Sequence, residues 1–113
     1  MKKLMFYLIT LSTVAVACSK GGSTEAQVDC TGEAKSFTTD INPIIQASCT
    51  SSGCHGNGSR NGPGALTSYQ EIFNARSSIR SAVASGSMPQ GGSLPSSQVN
   101  AILCWIDNGA TNN

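Results

Sequence analysis

Charge is scarce in this chain, and so are the large apolar side chains that build an ordinary core. Of the 113 residues, 12% are Asp, Glu, Lys or Arg, 5% are aromatic, and one is histidine. From Cys18 onward, Lys20, Lys35, Arg60, Arg76 and Arg80 nearly cancel Glu25, Asp29, Glu33, Asp40, Glu71 and Asp107. No basic patch points to nucleic acid, and a near-neutral surface offers little steering for a charged partner. There is no internal repeat and no convincing strand pattern. The glycines of "SGCHGNGSRNGPG" follow no strand, so they do not read as a phosphate-binding loop. No serine constellation or carboxylate pair suggests hydrolytic catalysis. Val, Ile, Leu and Phe together number 15 in the 96 residues from Cys18. That is below the roughly 20% at which disorder is suspected when net charge is also high. Here the charge is low and the apolar residues are periodic. The composition therefore predicts one small folded domain that takes part of its core from cross-links or from a bound apolar cofactor.

What is present begins with an address label. In "MKKLMFYLITLSTVAVAC", Lys2 and Lys3 precede an apolar run too short to span a bilayer. The run ends in Ala15, Val16 and Ala17 before Cys18, which resembles the lipobox of bacterial lipoproteins, where the signal peptide is cut before a cysteine that carries the lipid. The alternative is an ordinary signal peptide cut near Ala17, with Cys18 a spare thiol. The polar, Gly/Ser-containing "SKGGSTEAQ" then suits a flexible tether. This divides the chain into a signal peptide (1–17), a lipid-anchored linker (18–29) and a domain (30–113). It predicts attachment to a bacterial membrane through a lipid on Cys18, in the cell envelope, facing the periplasm or the exterior.

Within the domain the spacing predicts helices only. "TTDINPIIQASC" reads as a first helix of about three turns, with Thr39 or Asp40 as N-cap, Pro43 in the first turn, and Ile41, Ile44 and Ile45 on one face. Residues 50–64 are too rich in glycine to be anything but loop. "SYQEIFNA" offers Ser68 and Glu71 as a capping box, with Tyr69, Ile72 and Phe73 inward. "SSIRSAVASG" reads as a further short helix carrying Ile79, Ala82 and Val83 and stopped by Gly86. The last helix, "SSQVNAILCWIDNG", starts at a Ser96 or Ser97 cap, buries Val99, Ile102, Leu103 and Ile106, and stops at Gly109.

An exported protein lies where disulfides survive, so each of the five cysteines needs an explanation. Cys18 goes to the lipid. Cys49, Cys54 and the sole histidine, His55, form one group, which leaves Cys30 and Cys104. At 100° per residue Cys104 falls off the apolar stripe of the last helix, which makes it a poor core residue and a good partner for Cys30. A Cys30–Cys104 disulfide would staple the N-terminal segment onto that helix.

The stretch "CTSSGCH", Cys49 to His55, carries the chemistry. Two thiols that add to the vinyl groups of haem, followed directly by a histidine that binds iron, is the logic of C-x-x-C-H. The second cysteine must adjoin the histidine. The first has more latitude, because intervening residues can loop out, and Gly53 permits unusual dihedrals. Four residues separate the cysteines here instead of two. Past the signal peptide Met88 is the only methionine. It lies in the loop "GSMPQGG", followed by Pro89, and is a plausible second axial ligand; a Met/His pair raises the haem potential. Haem would also supply the missing apolar mass. The competing reading is a redox-inert, disulfide-stabilised lipoprotein binding module without haem, in which Cys49 pairs with Cys54 and His55 is a loop residue. Zinc is weaker, since with Cys30 and Cys104 paired only three ligands cluster where a structural site wants four.

Over residues 36 to 110 the pattern "SFTTDINPIIQASCTSSGCHG", "ALTSY", "GSMP" and "LPSSQVNAILCWIDNGA" resembles class I c-type cytochromes, and more closely the small lipoprotein-anchored or planctomycete-type cytochrome c domains. The resemblance implies a small all-α cytochrome c-like fold of about four short helices with long loops around one haem. It implies haem c attached through Cys49 and Cys54, with His55 as proximal and Met88 as distal iron ligand. An aromatic residue of the last helix near the haem would be Trp105. The implied role is a membrane-tethered monohaem electron carrier with redox partner proteins, not an enzyme. Arg60, Arg76 and Arg80 are candidates for the haem propionates, but a solvated surface role is the preferred reading for each.

Overall fold

Pro43 shapes how the first helix begins. Lacking an N–H, it needs no acceptor one turn back, and the backbone before it winds wide. In the computed structural model, which describes residues 26–113, a π-helical turn over Phe37–Ile41 runs directly into α1, Asn42–Ser48. The N–H groups of Ile41 and Asn42 reach the carbonyls of Ser36 and Phe37, five residues back. The cap is Ser36, not Thr39 or Asp40. Its hydroxyl accepts from the Thr39 N–H at 3.4 Å, and the Asp40 carboxylate accepts from the Ser36 N–H at 2.8 Å. The signal peptide, the lipobox and Cys18 lie outside the described residues.

The second helix starts at the expected capping box. The Ser68 side chain accepts from the Glu71 N–H while Glu71 accepts from the Ser68 N–H at 3.0 Å. Two further hydrogen bonds, from the N–H and hydroxyl of Thr67, hold the Glu71 carboxyl below its ordinary pKa. The helix then runs without interruption as α2, Tyr69–Ser85, to Gly86 in the left-handed conformation at φ +73°. The two short helices expected in this stretch are one. Ile72, Ala75, Ile79 and Val83 are all buried, and they extend a single stripe through both halves.

The third helix, α3 (Ser96–Asp107), is capped by Pro95 without a side-chain hydrogen bond, in place of the expected serine. It ends at Asn108 and Gly109. The five consecutive residues Ala101 to Trp105 are all buried, so α3 is covered on several sides. α2 packs on one, the π turn on another, and the N-terminal strap on a third. Cys104, off the apolar stripe as read from the sequence, is nevertheless only 4% exposed, because the strap covers it. Cys30 and Cys104 form a disulfide with Cα atoms 5.4 Å apart. One turn earlier, the Asn100 amide accepts from the N–H of Asp29 and donates to its carbonyl, both at 2.7 Å. Residues 26–29, read as the end of the tether, thus lie against the domain, with the Ala26 N–H also donating to the Ala84 carbonyl.

The protein is all-α, with three helices and no strand among the described residues. Its core joins Phe37, Ile41 and Ile45 to Ile72, Ile79 and Val83 and to Ile102, Leu103 and Trp105. Trp105 sits in an aromatic group with Phe37 and Tyr69, at ring-centroid distances of 5.6 and 6.5 Å, and donates its indole N–H to the Thr111 carbonyl.

Candidate functional site

α1 delivers the chain to Cys49, and the loop that follows is folded around His55. The Cys49 N–H closes the last turn of α1 on the Ile45 carbonyl. The His55 N–H returns to the Cys49 carbonyl at 2.9 Å, so residues 51–53 project as an exposed loop while the two ends are drawn together, with the Thr50 hydroxyl donating to the Gln46 carbonyl at 2.7 Å. Gly53, at φ +83°, makes that turn in a region that favours glycine. Gly56 serves a different need, since a β-carbon there would stand 2.9 Å from the Thr50 carbonyl oxygen.

His55 is the one buried polar or charged side chain among the described residues, 7% exposed. Its Nδ1 lies 2.9 Å from the Gly64 carbonyl oxygen. A carbonyl can only accept, so Nδ1 is the donor of this bond. The Leu66 N–H donates to the His55 carbonyl at 2.9 Å, and the Gln46 amide of α1 donates to the Leu66 carbonyl at 3.0 Å. These bonds fix the ring from both sides of the loop.

The ring borders an apolar chamber of about 240 Å³, walled by Ile45 of α1, Leu66, Ile79 and Val83 of α2, and Ile102 of α3. Cys49 and Met88 border the same chamber. A second hollow of about 500 Å³ shares Cys49, His55 and Met88 with the first and adds Cys54, Asn61 and Pro89. Together they form one cleft, apolar in the first hollow and mixed polar and apolar in the second, outer one, within the size range of small-molecule and cofactor sites. The structure therefore brings Cys49, Cys54, His55 and Met88 to a single cleft. Cys54 is exposed and borders only the outer part. Met88 is half-buried in the loop between α2 and α3, its N–H donating to the Ala82 carbonyl at 3.3 Å.

Both cysteines are free thiols. Burial pushes the Cys49 thiol above its ordinary pKa of 9.0, and Cys54 beside it adds to the shift. Among the described residues no three His, Cys, Asp or Glu side chains converge into a group that could hold a bare metal ion. Chemically, the cleft offers apolar walls, two thiols, one imidazole nitrogen and one thioether.

Several sequence expectations are corrected. Trp105 does not border the cleft; Ile102 is the α3 side chain that does. Of the three candidate arginines, Arg76 stacks on the Phe73 ring at 3.9 Å and donates to the Phe73 carbonyl. Arg80 grips the Asp107 carboxylate with two bonds of 2.6 and 2.8 Å, which hold Asp107 below its ordinary pKa. Arg60 is exposed in the loop after His55 and borders neither part of the cleft. The sequence reading missed Gly64, whose backbone carbonyl does the work, and Gln46 and Asn61, which gave no periodic or motif signal.

Comparison with protein-family models, with curated proteins and with solved structures finds no match to this chain. Among the described residues no helix is long and apolar enough to cross a membrane.

Proposed function

We propose that residues 30–113 form a monohaem c-type cytochrome domain, a lipid-tethered electron carrier with a cytochrome c-like fold built on three helices. The observation that carries this reading is that the sole histidine, the sole methionine past residue 17, and Cys49 border one apolar chamber, with Cys54 at its mouth. The donor set fits haem. A porphyrin already fills four positions around its iron and asks the protein for axial ligands only, which suits a site where no three metal-ligating side chains of the usual hard or borderline kind converge.

Cys49 and Cys54 would hold the group by adding S–H across its two vinyl groups. Each addition forms one S–C bond and places the thiol hydrogen on the neighbouring vinyl carbon, with no oxidant or reductant consumed. His55 would bind through Nε2, since the Gly64 carbonyl holds Nδ1. Met88 would supply its thioether as the second protein ligand, and a Met/His pair raises the potential. When bound, haem supplies an iron that accepts and releases one electron. Ile45, Leu66, Ile79, Val83 and Ile102 would shield the group from water on the chamber side. With His55 and Met88 both engaged as ligands, the group would serve electron transfer rather than catalysis.

The free thiols at Cys49 and Cys54 weigh against the haem-free, disulfide-looped alternative. The test is a reduced-minus-oxidised visible spectrum of protein matured with haem-attachment machinery, beside Met88→Ala. The wild type should be low-spin and reversibly reducible, and the variant's ferric spectrum should change. A Met88→Ala spectrum identical to the wild type would remove Met88 from the site.

A further inference from the structure

The four-residue spacer of "CTSSGC" leaves Cys54 at the end of an exposed loop, where nothing in α1 holds it. Residue 61 supplies what the helix does not. The Asn61 side-chain NH2 donates to the carbonyls of Gly53 at 2.7 Å and Cys54 at 3.0 Å, the last two residues before His55. Ser59 reinforces this: its hydroxyl donates to the same Cys54 carbonyl and accepts from the Asn61 N–H at 3.2 Å. The main-chain carbonyl of Asn61 accepts from the Gly64 N–H. Gly64 in turn accepts the Nδ1 proton of His55. One residue therefore grips the second cysteine with its side chain and the acceptor of the histidine with its backbone, and it borders the outer cleft.

We propose that Asn61 is the positioning residue that makes the lengthened spacer workable, by holding Cys54 in register with His55. Its amide replaces the restraint that a shorter spacer would impose through the chain itself. The two donors are what matter: an oxygen in place of the NH2 would face the Gly53 and Cys54 carbonyls with no hydrogen to share and would repel them. The proposal rests on the haem reading for its purpose, and on the hydrogen bonds alone for its geometry.

The test compares wild type, Asn61→Asp and Asn61→Ala. The backbone link to Gly64 survives in both variants, so only the side-chain grip is removed. After maturation with haem, peptide mass mapping counts the thioethers. The expected result is two in the wild type and a majority of singly attached chains in Asn61→Asp, with the free thiol at Cys54 and little change in thermal midpoint, since Asn61 is exposed. Asn61→Ala should fall between them. Double attachment in wild-type proportion in both variants would overturn the proposal, as would loss of attachment spread equally over Cys49 and Cys54. A second readout needs no haem. By NMR of the haem-free protein, solvent exchange of the Cys54 and His55 backbone N–H groups, which donate to the Ser51 and Cys49 carbonyls, should quicken several-fold in Asn61→Asp, because the Asn61 side chain holds the carbonyls of the same two peptide units. Unchanged exchange would overturn the geometric claim. A wild type that takes up no haem would sink the function and leave this exchange measurement to decide the Asn61 grip by itself.

Discussion

At Gly56 the chain has no room for a side chain, because the Thr50 carbonyl oxygen would lie 2.9 Å from a new β-carbon, and that oxygen belongs to the backbone and cannot swing aside. Gly56→Ala should therefore destabilise the domain by about 1–3 kcal/mol, the usual cost of overpacking. A urea titration of the haem-free protein reads it directly, and a loss below a few tenths would contradict the close approach. Cys49 makes a different prediction. Its pKa is raised on folding, chiefly by burial, so the unfolded chain loses that proton first. The stability this contributes is intact below the ordinary thiol value of 9.0 and is lost as pH climbs through the raised folded value. Thermal midpoints of the haem-free protein should fall over that range more steeply than those of Cys49→Ser. At this scale the thiols, the histidine and the methionine were legible in the sequence because their chemistry is carried by side-chain type. Gly64 was not legible, because its contribution is a backbone carbonyl, which every residue possesses. Trp105, expected near the cleft from the resemblance, lies outside it because aromatic packing with Phe37 and Tyr69 decides where the ring goes.

The capping box of α2 shows where local sequence suffices. Ser68 and Glu71 satisfy each other's backbone partners within four residues, so the start of the helix needs no tertiary help. Ser68→Ala should cost about 1 kcal/mol by denaturant unfolding, with Glu71→Gln less affected because an amide oxygen still accepts. The helix end at Gly86 was equally readable, since its left-handed backbone favours glycine. The middle was not. Ser77 and Ser78 look like a break between two short helices, yet neither is a breaker, and the buried residues Ala75 and Ile79 carry the stripe across them. The π turn before α1 was also hidden, because Pro43 marks a helix start without specifying the wider winding that its missing N–H permits.

For the whole molecule, the thin aliphatic core and the cleft belong together. The three helices close around a chamber that their own side chains do not fill, so the domain relies on restraints from outside its core. One is the disulfide across a sequence separation of 74, seated where Asn100 also pins the strap. Cys30→Ser combined with Cys104→Ser should lower stability by about 2–4 kcal/mol, measured by chemical unfolding under non-reducing conditions; an unchanged midpoint would show that the strap is dispensable. The second restraint is the group proposed to occupy the cleft. The most direct test is to mature the protein with haem-attachment machinery, extract it with acid acetone, and run a pyridine haemochrome assay on the pellet. Haem retained by the wild type and lost from a Cys49→Ala, Cys54→Ala double variant is the result predicted. A wild-type pellet without haem, beside a control cytochrome that matures normally, would contradict the assignment of "CTSSGCH" as a covalent haem site.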